Sequence, residues 1–143
     1  MAGIRQKRQD AIRSLVRSMA IHTQAELVEH LGMKGFEVTQ ATVSRDIAEL
    51  GLGKDIAGVY VLPEDLRLRS MVGNDVRETR RAGNQVLLLC LPGTASSVAA
   101  ALDASMHDGA LGCIAGDDTV LVICADDESG EQFQASMDAL LEN

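Results

Sequence analysis

The sequence predicts an α+β protein made of two small domains, a winged helix-turn-helix domain followed by a four-stranded sheet with two helices. The 143 residues are 46% hydrophobic and 24% charged, as in globular rather than disordered proteins. Three short helical patterns precede a β-prone pair, and strand-like runs with two helical segments follow. The charge is also divided unevenly along the chain.

The formal net charge of −8 is concentrated in the second half of the chain. Residues 1–63 carry eight Lys and Arg against seven Asp and Glu, and residues 64–84 carry five against four. Residues 85–143 carry ten acidic residues and no Lys or Arg. The first half of the chain could therefore bind phosphate, and the acidic second half could bind a cation. We expect a DNA-binding domain at 1–63, a charged linker at 64–70 and an acidic domain at 71–143.

Composition excludes several classes of protein. No apolar run approaches the roughly 20 residues that a membrane span needs, and the basic start lacks the apolar core of a signal peptide. With no Trp, one Tyr and two Phe, the chain lacks the aromatic residues on which single-stranded nucleic acid stacks. The three cysteines lie in apolar stretches and cannot all pair with each other, which predicts reduced thiols in the cytoplasm.

Two amphipathic helices are predicted at the start of the first domain. Apolar residues recur at spacings of three and four over Ile4–Ala20, with arginines opposite. A capping box, Thr23-Gln-Ala-Glu26, starts a second helix that Gly32 and Gly35 end. The residues expected to face the core are Ile12, Leu15, Val16 and Met19 in the first helix, and Leu27, Val28 and Leu31 in the second.

A third helix and a hairpin complete the predicted winged helix-turn-helix domain. Thr39 can cap a helix from Gln40 to Leu50, and Gly51 can end it. Two β-prone runs follow, Leu52–Ile56 and Val59–Leu62, joined across Ala57-Gly58. Three short helices and a small hairpin in this order are typical of the winged helix-turn-helix arrangement.

The third helix is the candidate DNA-contacting element. Its inner side would carry Val43, Ile47 and Leu50, whereas small residues flank Arg45 on the outer side, which is narrow enough for the major groove. Arg45 could donate two hydrogen bonds to guanine. The candidate DNA-binding residues are Gln40, Thr42, Ser44 and Arg45.

Two further points follow for this helix. In the alternative interpretation, Arg45 only pairs with Glu49, its neighbour four residues on, at a solvated face. If the helix does bind DNA, the charges of Asp46 and Glu49 must point away from phosphate. A domain with a net charge of only +1 also binds DNA weakly alone, so several copies must act together.

The second domain is predicted to contain four strands and two helices. A polar strand suited to a sheet edge comes first, and the turn signal Gly83-Asn84 leads into an apolar strand. The elements are strands at 75–81, 86–91, 110–115 and 120–125, with helices at 94–105 and 131–141.

This domain is expected to form oligomers. The runs VLLLCL and VLVIC are apolar at consecutive positions, so both faces of the sheet need cover, but two short helices cover about one face. The helix over 95–102 is rich in alanine, which allows close approach by a sister subunit. The alternative is that this helix only packs tightly within its own chain.

Gly116-Asp117-Asp118-Thr119 places two carboxylates side by side in a turn. Like charges at this distance are costly unless water solvates them or a cation meets them. The cation could be a metal ion, an organic amine or guanidine, or a basic side chain of a partner. An ordinary Asp-rich turn is the remaining alternative. Asp103 is a further acid with no basic neighbour in the sequence.

Five segments of the chain resemble the bacterial arginine repressor family. They follow the family's order and spacing over essentially the whole chain, and the Ser-Arg pair and the Gly-Asp-Asp-Thr turn are the most specific. The segments are ATVSRDIAELGL at 41–52, AGN at 82–84, PGTA at 92–95, the Ala-rich helix ending at Leu102-Asp103, and GCIAGDDTVLVI at 112–123.

The resemblance implies a transcriptional repressor of arginine metabolism that has no catalytic activity. Its first domain would read palindromic operator DNA, with Ser44 and Arg45 as contacts. Its second domain would form trimers, and L-arginine between two trimers would act as co-repressor and favour the hexamer. The implied arginine-binding residues are Asp103, Asp117 and Asp118, with Ser96 at a position where some members have Gln.

Two other functions compete with this interpretation. A regulator of the same architecture could sense another amino acid or amine. An enzyme using a divalent metal at Asp117 and Asp118 is disfavoured because His22 and His30 lie in the first domain and His107 lies in a polar loop. The cysteines are too scattered for a zinc site.

Overall fold

A computed structural model describes residues 3–105 and 109–142 of the chain, which divides into two compact units, residues 1–66 and 67–143. Each unit has its own hydrophobic core. Within the described ranges, no helix is both long and apolar enough to cross a membrane. The elements are α1 (Ile4–Ser18), α2 (Gln24–Met33), α3 (Gln40–Leu50), β1 (Gly53–Lys54), β2 (Tyr60–Val61), α4 (Pro63–Asp75), β3 (Val76–Ala82), β4 (Gln85–Cys90), α5 (Ala95–Ser105), β5 (Ala110–Ala115), β6 (Thr119–Cys124) and α6 (Asp127–Leu141).

The predicted caps position the helices of the first unit. The Thr23 hydroxyl accepts a hydrogen bond from the Glu26 N–H at the start of α2, and the Thr39 hydroxyl accepts one from the Thr42 N–H at the start of α3. Gly51 ends α3 in the left-handed region, with φ of 68°. Strands β1 and β2 pair antiparallel in the predicted hairpin and are shorter than expected. The predicted winged helix-turn-helix order of elements is confirmed.

The core of the first unit contains most of the predicted residues. Ile12, Leu15 and Val16 are buried on α1, and they pack with the apolar residues of α2, α3 and the hairpin. Met19 was expected beside them but is 41% exposed, because α1 ends at Ser18 and Met19 has an extended backbone.

Helix α4 was not predicted from the sequence. Residues 64–70 were interpreted as a charged connector, but they lie within this helix. The segment Leu-Arg-Leu-Arg alternates apolar and charged residues with a period of two, which conceals a helical pattern. Pro63 in the first helical position and the acidic residues of the first turn are typical helix-start signals. Leu68 and Val72, four residues apart, are buried in the second core.

The second unit is an antiparallel sheet of order β3-β4-β6-β5, with helices on one face. The polar strand β3 lies at an edge, as predicted. Helix α6 begins at Asp127, four residues before the predicted start, because the Asp126 carboxylate caps it by accepting a hydrogen bond from the Ser129 N–H. The four predicted strands and the helices α5 and α6 are all present.

One face of this sheet carries apolar side chains that the helices leave uncovered. Alternate residues of β4 and β6 are buried against the helices, whereas the residues between them are only half-buried. The register pairs Leu87 with Leu121 and Leu121 with Ile114, which is 71% exposed. We call this surface the open sheet face; it consists of Leu87, Leu89, Ile114, Leu121 and Ile123.

Gly130 lets α6 approach the turn between β3 and β4. A Cβ atom at this position would lie 2.7 Å from the Gly83 carbonyl oxygen and 3.2 Å from the Asn84 Cα. We therefore expect Gly130→Ala to lower the free energy of unfolding of the second unit by about 1–3 kcal/mol, although alanine favours helices more than glycine does. Urea unfolding of the variant and of the wild type measures the difference.

Gly73 offers a matched control in the same unit. It also lies in a helix, but a Cβ atom there would meet only the Leu140 carbonyl oxygen at 3.9 Å, an ordinary contact. We expect Gly73→Ala to leave stability unchanged or to raise it by up to about 1 kcal/mol. Equal effects of the two substitutions would contradict the steric argument.

Candidate functional site

The outer face of α3 presents a narrow polar surface. Ala41, Ser44, Arg45 and Ala48 are exposed, whereas Val43 is buried on the opposite side. The other two predicted DNA-binding residues contact neighbouring side chains. The Gln40 amide lies 3.4 Å from the Gln24 side-chain oxygen, and the Thr42 hydroxyl lies 3.1 Å from that of Thr39.

The alternative interpretation of α3 expects Arg45 to pair with Glu49. Within the described part of the chain, Arg45 does not form this ion pair. Its Nε contacts the Ala41 carbonyl oxygen at 3.4 Å, which folds the side chain along its own helix. The Glu49 carboxylate instead accepts hydrogen bonds from Arg5 and Gln9 of α1. The positive charge of Arg45 is therefore exposed on the outer face of α3.

The two carboxylates of α3 are turned towards α1. Asp46 is only 2% exposed, and it is bound through both oxygens by Nε and Nη2 of Arg8. The Gln9 amide donates to the same carboxylate at 3.1 Å and to Glu49 at 2.7 Å. The condition that these charges point away from the outer face is therefore met.

The Asp46 ion pair gives the stability of the protein a defined pH dependence. Burial raises the pKa of Asp46, but hydrogen bonds from Arg8 and Gln9 outweigh it, so the pKa lies below its ordinary value of 3.8. A carboxylate whose pKa is lower in the folded state than in the unfolded state stabilises the protein at pH values above its unfolded-state pKa. This contribution disappears as the pH falls through the folded-state pKa. The stabilisation is thus present above about pH 3.8 and decreases below it.

Asp46→Asn provides the test of this pH dependence. We expect the free energy of unfolding of the first unit to fall more steeply below pH 3.8 in the wild type than in the variant, which lacks this titrating group. Urea unfolding at a series of pH values between 7 and 3 measures both slopes. Equal slopes would contradict the role of Asp46.

The arginines of α1 are engaged within the first unit. Besides Arg5 and Arg8, Arg13 pairs with Glu64 at 3.3 Å, and Arg17 pairs with Asp65 at 3.1 Å. Carboxylates of the same unit therefore pair with all four arginines of α1. Contact of this basic segment with phosphate stays a prediction.

The acidic turn of the second unit is held by its backbone at the start of α5. The Asp117 carbonyl oxygen accepts hydrogen bonds from the Gly93 and Ala95 N–H groups at 3.1 and 3.2 Å. The Asp118 carbonyl oxygen accepts one from the Cys90 N–H at 2.7 Å. Because the backbone supplies these contacts, both carboxylates remain exposed. Among the contacts described, the carboxylate of Asp118 accepts one hydrogen bond, from the Thr119 hydroxyl at 3.1 Å.

Only part of the implied ligand set is brought together in one chain. Ser96 is exposed in the first turn of α5, one residue after the N–H that binds the Asp117 carbonyl. Asp103 lies seven residues further along α5, which is roughly 10 Å along the helix axis. One chain therefore groups Ser96 with Asp117 and Asp118 and separates them from Asp103.

Asp103 instead lies beside a thiol. The Cys113 Sγ is 3.5 Å from the Asp103 carboxylate. Burial and the negative charge of Asp103 raise the pKa of Cys113 to about 11. This cysteine is therefore protonated at neutral pH and is a poor nucleophile.

Sequence reasoning missed a positive charge near the acidic turn. Arg77 on β3 donates from Nη2 to the Cys90 carbonyl oxygen at 3.3 Å, and Cys90 is the residue whose N–H binds Asp118. Although residues 85–143 contain no Lys or Arg, Cys90 connects this basic side chain of β3 to the acidic turn through two hydrogen bonds. Only the strand order, with β4 between β3 and β6, brings these residues to one end of the sheet.

Within the described residues, no group of three His, Cys, Asp or Glu side chains is arranged to hold a metal ion. His107, the histidine nearest to the acidic turn in the sequence, lies outside the described residues. Cys90, Cys113 and Cys124 are free thiols.

Two family models match the two units. The model for the arginine repressor DNA binding domain matches residues 4–68, and the model for the arginine repressor C-terminal domain matches residues 72–139. The chain belongs to the arginine repressor family. The resemblance inferred from the sequence is therefore confirmed, and the metal-dependent enzyme hypothesis is set aside because this family consists of DNA-binding regulators.

Curated members of the arginine repressor family align with most of the chain. The arginine repressor of Thermus thermophilus is 43% identical, over 97% of this chain and 92% of its own length. That of Carboxydothermus hydrogenoformans is 40% identical, over 94% and 97%. That of Staphylococcus epidermidis is 41% identical, over 91% and 93%.

Proposed function

We propose that this member of the arginine repressor family represses genes of arginine biosynthesis or catabolism in the cytoplasm. It binds operator DNA as a hexamer, a dimer of trimers, with L-arginine as co-repressor. The first unit contains the DNA-binding residues, and the second contains the arginine-binding and oligomerising surfaces. The main observation in support is the acidic turn, in which the Asp117 and Asp118 carbonyl oxygens accept backbone hydrogen bonds while both carboxylates are exposed.

L-arginine fits this turn chemically. Its guanidinium is planar and can donate parallel hydrogen bonds to a carboxylate, whereas an ammonium group offers only a point charge. Asp117 and Asp118 offer neighbouring acceptors, and Ser96 is held beside them by α5. Asp103 is too far along α5 to share the same guanidinium, so we assign it to the arginine bound with a second subunit.

The open sheet face supports assembly. A contiguous apolar surface on a folded domain typically marks an interface with another protein. We place contacts between copies of the chain on this face, where they would bury Ile114 and Leu121. Trimer formation then brings several copies of α3 to one DNA molecule, which compensates for the small net charge of each first unit.

Arginine and DNA binding are expected to be linked. The ten acidic residues of 85–143 repel each other where two trimers meet, and a bound guanidinium reduces this repulsion. If arginine favours the hexamer and the hexamer binds operator DNA more tightly, each ligand must strengthen binding of the other by the same factor.

A titration of the purified protein with L-arginine tests the proposal. Calorimetry measures binding, light scattering measures the mass, and a mobility shift measures the affinity for duplexes selected by the protein from a random library. We expect heat of binding, a shift from trimer to hexamer and tighter DNA binding. No heat and a mass indifferent to arginine would overturn the proposal.

A screen of related compounds separates arginine from other amines. Lysine and ornithine carry an ammonium group, and citrulline has arginine's shape without its charge. If Asp117 and Asp118 bind a guanidinium, arginine binds more tightly than lysine or ornithine, and citrulline gives no heat. Preference for one of the other compounds would indicate a regulator with a different effector.

A further inference from the structure

The ion pair between Arg8 and Asp46 is the most buried charged contact described in the first unit. The side chains of Arg8 and Asp46 are 14% and 3% exposed. Arg8 binds both carboxylate oxygens, and its Nη2 lies 3.0 Å from Oδ1. Gln9 donates to the same carboxylate and to Glu49, so α1 holds α3 at two positions three residues apart.

Stability alone does not explain this arrangement. Removing two charges from water costs free energy, and apolar residues of similar size would often stabilise the same contact equally well. A bidentate ion pair does provide direction, because both hydrogen bonds require a defined orientation of the two groups. The apolar contacts of α3 through Val43 have no such angular requirement.

The direction of this contact matters for the outer face of α3. Asp46 directly follows Arg45, so the rotation of α3 that fits Asp46 to Arg8 also sets the direction of Arg45. An atom on the helix surface lies about 5–6 Å from the axis, and a rotation of roughly 20° moves it by about 2 Å. A shift of that size breaks a hydrogen bond to a base edge.

We propose that Arg8 and Asp46 are positioning residues for DNA recognition: their ion pair sets the orientation of α3 on α1 and thereby the direction of Arg45. This inference rests on the proposed role of α3 in binding DNA. In this role Arg8 pairs with Asp46 and does not contact phosphate, although it lies in the most basic segment of the chain.

Two substitutions with opposite charge changes test the proposal in the full chain. Asp46→Asn removes a negative charge, and Arg8→Gln removes a positive one. The measured quantity is the ratio of affinities for a duplex selected from a random library and for a scrambled duplex. We expect both variants to lower this ratio at least tenfold, because one good base contact is worth about that much and each α3 bound to DNA is affected. Arg13→Gln, which breaks the exposed α1 pair with Glu64, should leave it unchanged.

The salt dependence of binding to the scrambled duplex separates positioning from phosphate contact. Each phosphate contact contributes about −0.9 to the slope of log affinity against log salt concentration. We expect Arg8→Gln to leave this slope unchanged. If the slope becomes shallower by about one for each α3 on DNA, and the affinity ratio stays constant, Arg8 contacts phosphate and the proposal is overturned.

Charge alone would give a different pattern from positioning. It would tighten binding of both duplexes in Asp46→Asn and weaken both in Arg8→Gln, with a constant affinity ratio, and that result overturns the proposal. If Arg8→Gln does not fold, as judged by circular dichroism, Arg8→Lys decides the question. It keeps the charge and loses the bidentate geometry, so we expect a lower ratio, and an unchanged ratio overturns the proposal.

Arg45→Ala, measured alongside, distinguishes this inference from the proposed function. If Arg45→Ala lowers the affinity ratio while the Arg8 and Asp46 variants do not, only the positioning role is overturned. If Arg45→Ala leaves the ratio unchanged, α3 does not read the DNA, and the positioning role fails with that assignment.

Discussion

Arg45→Ala is expected to abolish discrimination between operator and random DNA while leaving arginine binding unchanged. Arg45 is the exposed cation on the outer face of α3, and its carboxylate neighbours on that helix are turned towards α1. A bidentate contact to guanine contributes about 1–3 kcal/mol of discrimination for each helix that contacts DNA. Because several copies bind together, we expect the loss in operator affinity to exceed 100-fold.

Footprinting and mobility shifts with a selected and a scrambled duplex measure this effect. Arg80→Ala is the matched control, since it removes an exposed arginine of the second unit whose partner is Glu78. We expect the control to keep its footprint. A sequence-specific footprint retained by Arg45→Ala would show that α3 is not the recognition helix.

Asp118→Asn is expected to weaken L-arginine binding by ten- to a hundredfold. The substitution preserves the backbone hydrogen bond from Cys90 that holds the turn, and it removes one carboxylate that would pair with the guanidinium. A hydrogen bond to a charged group contributes about 1.5–3 kcal/mol, which corresponds to this range. We also expect the variant to form trimers and to need more arginine to form hexamers.

Calorimetry and sedimentation velocity measure affinity and assembly for this variant. Glu131→Gln is a suitable control because it neutralises an exposed acid on α6, away from the turn. We expect its response to arginine to match that of the wild type. An unchanged arginine response in Asp118→Asn would remove the acidic turn from the proposed site.

Local sequence signals predicted much of the fold and the exposed faces of both candidate sites. The caps at Thr23 and Thr39, the glycine that ends α3 and the alternating strands depend on neighbouring residues, so they can be recognised without tertiary structure. The exposed side of α3 followed from its helical period. The exposed carboxylates of the acidic turn followed from turn-forming residues between two apolar strands.

The missed features depend on contacts between distant parts of the chain. Arg8 and Asp46 are 38 residues apart, and their side chains meet only after α1 and α3 pack. The position of Arg77 near the acidic turn depends on the strand order, which strand patterns alone do not specify. Helix α4 was missed because its apolar residues alternate locally, and the helical spacing of Leu68 and Val72 becomes evident from their burial in the second core.

The two separate cores determine how heating experiments on this protein must be interpreted. Each unit buries its own set of apolar side chains, so a single melting temperature does not describe the whole chain. Differential scanning calorimetry can resolve the heat absorbed by each half. A substitution such as Gly130→Ala should then displace the peak of the half that contains it, so the calorimetric trace assigns each transition to a region of the sequence.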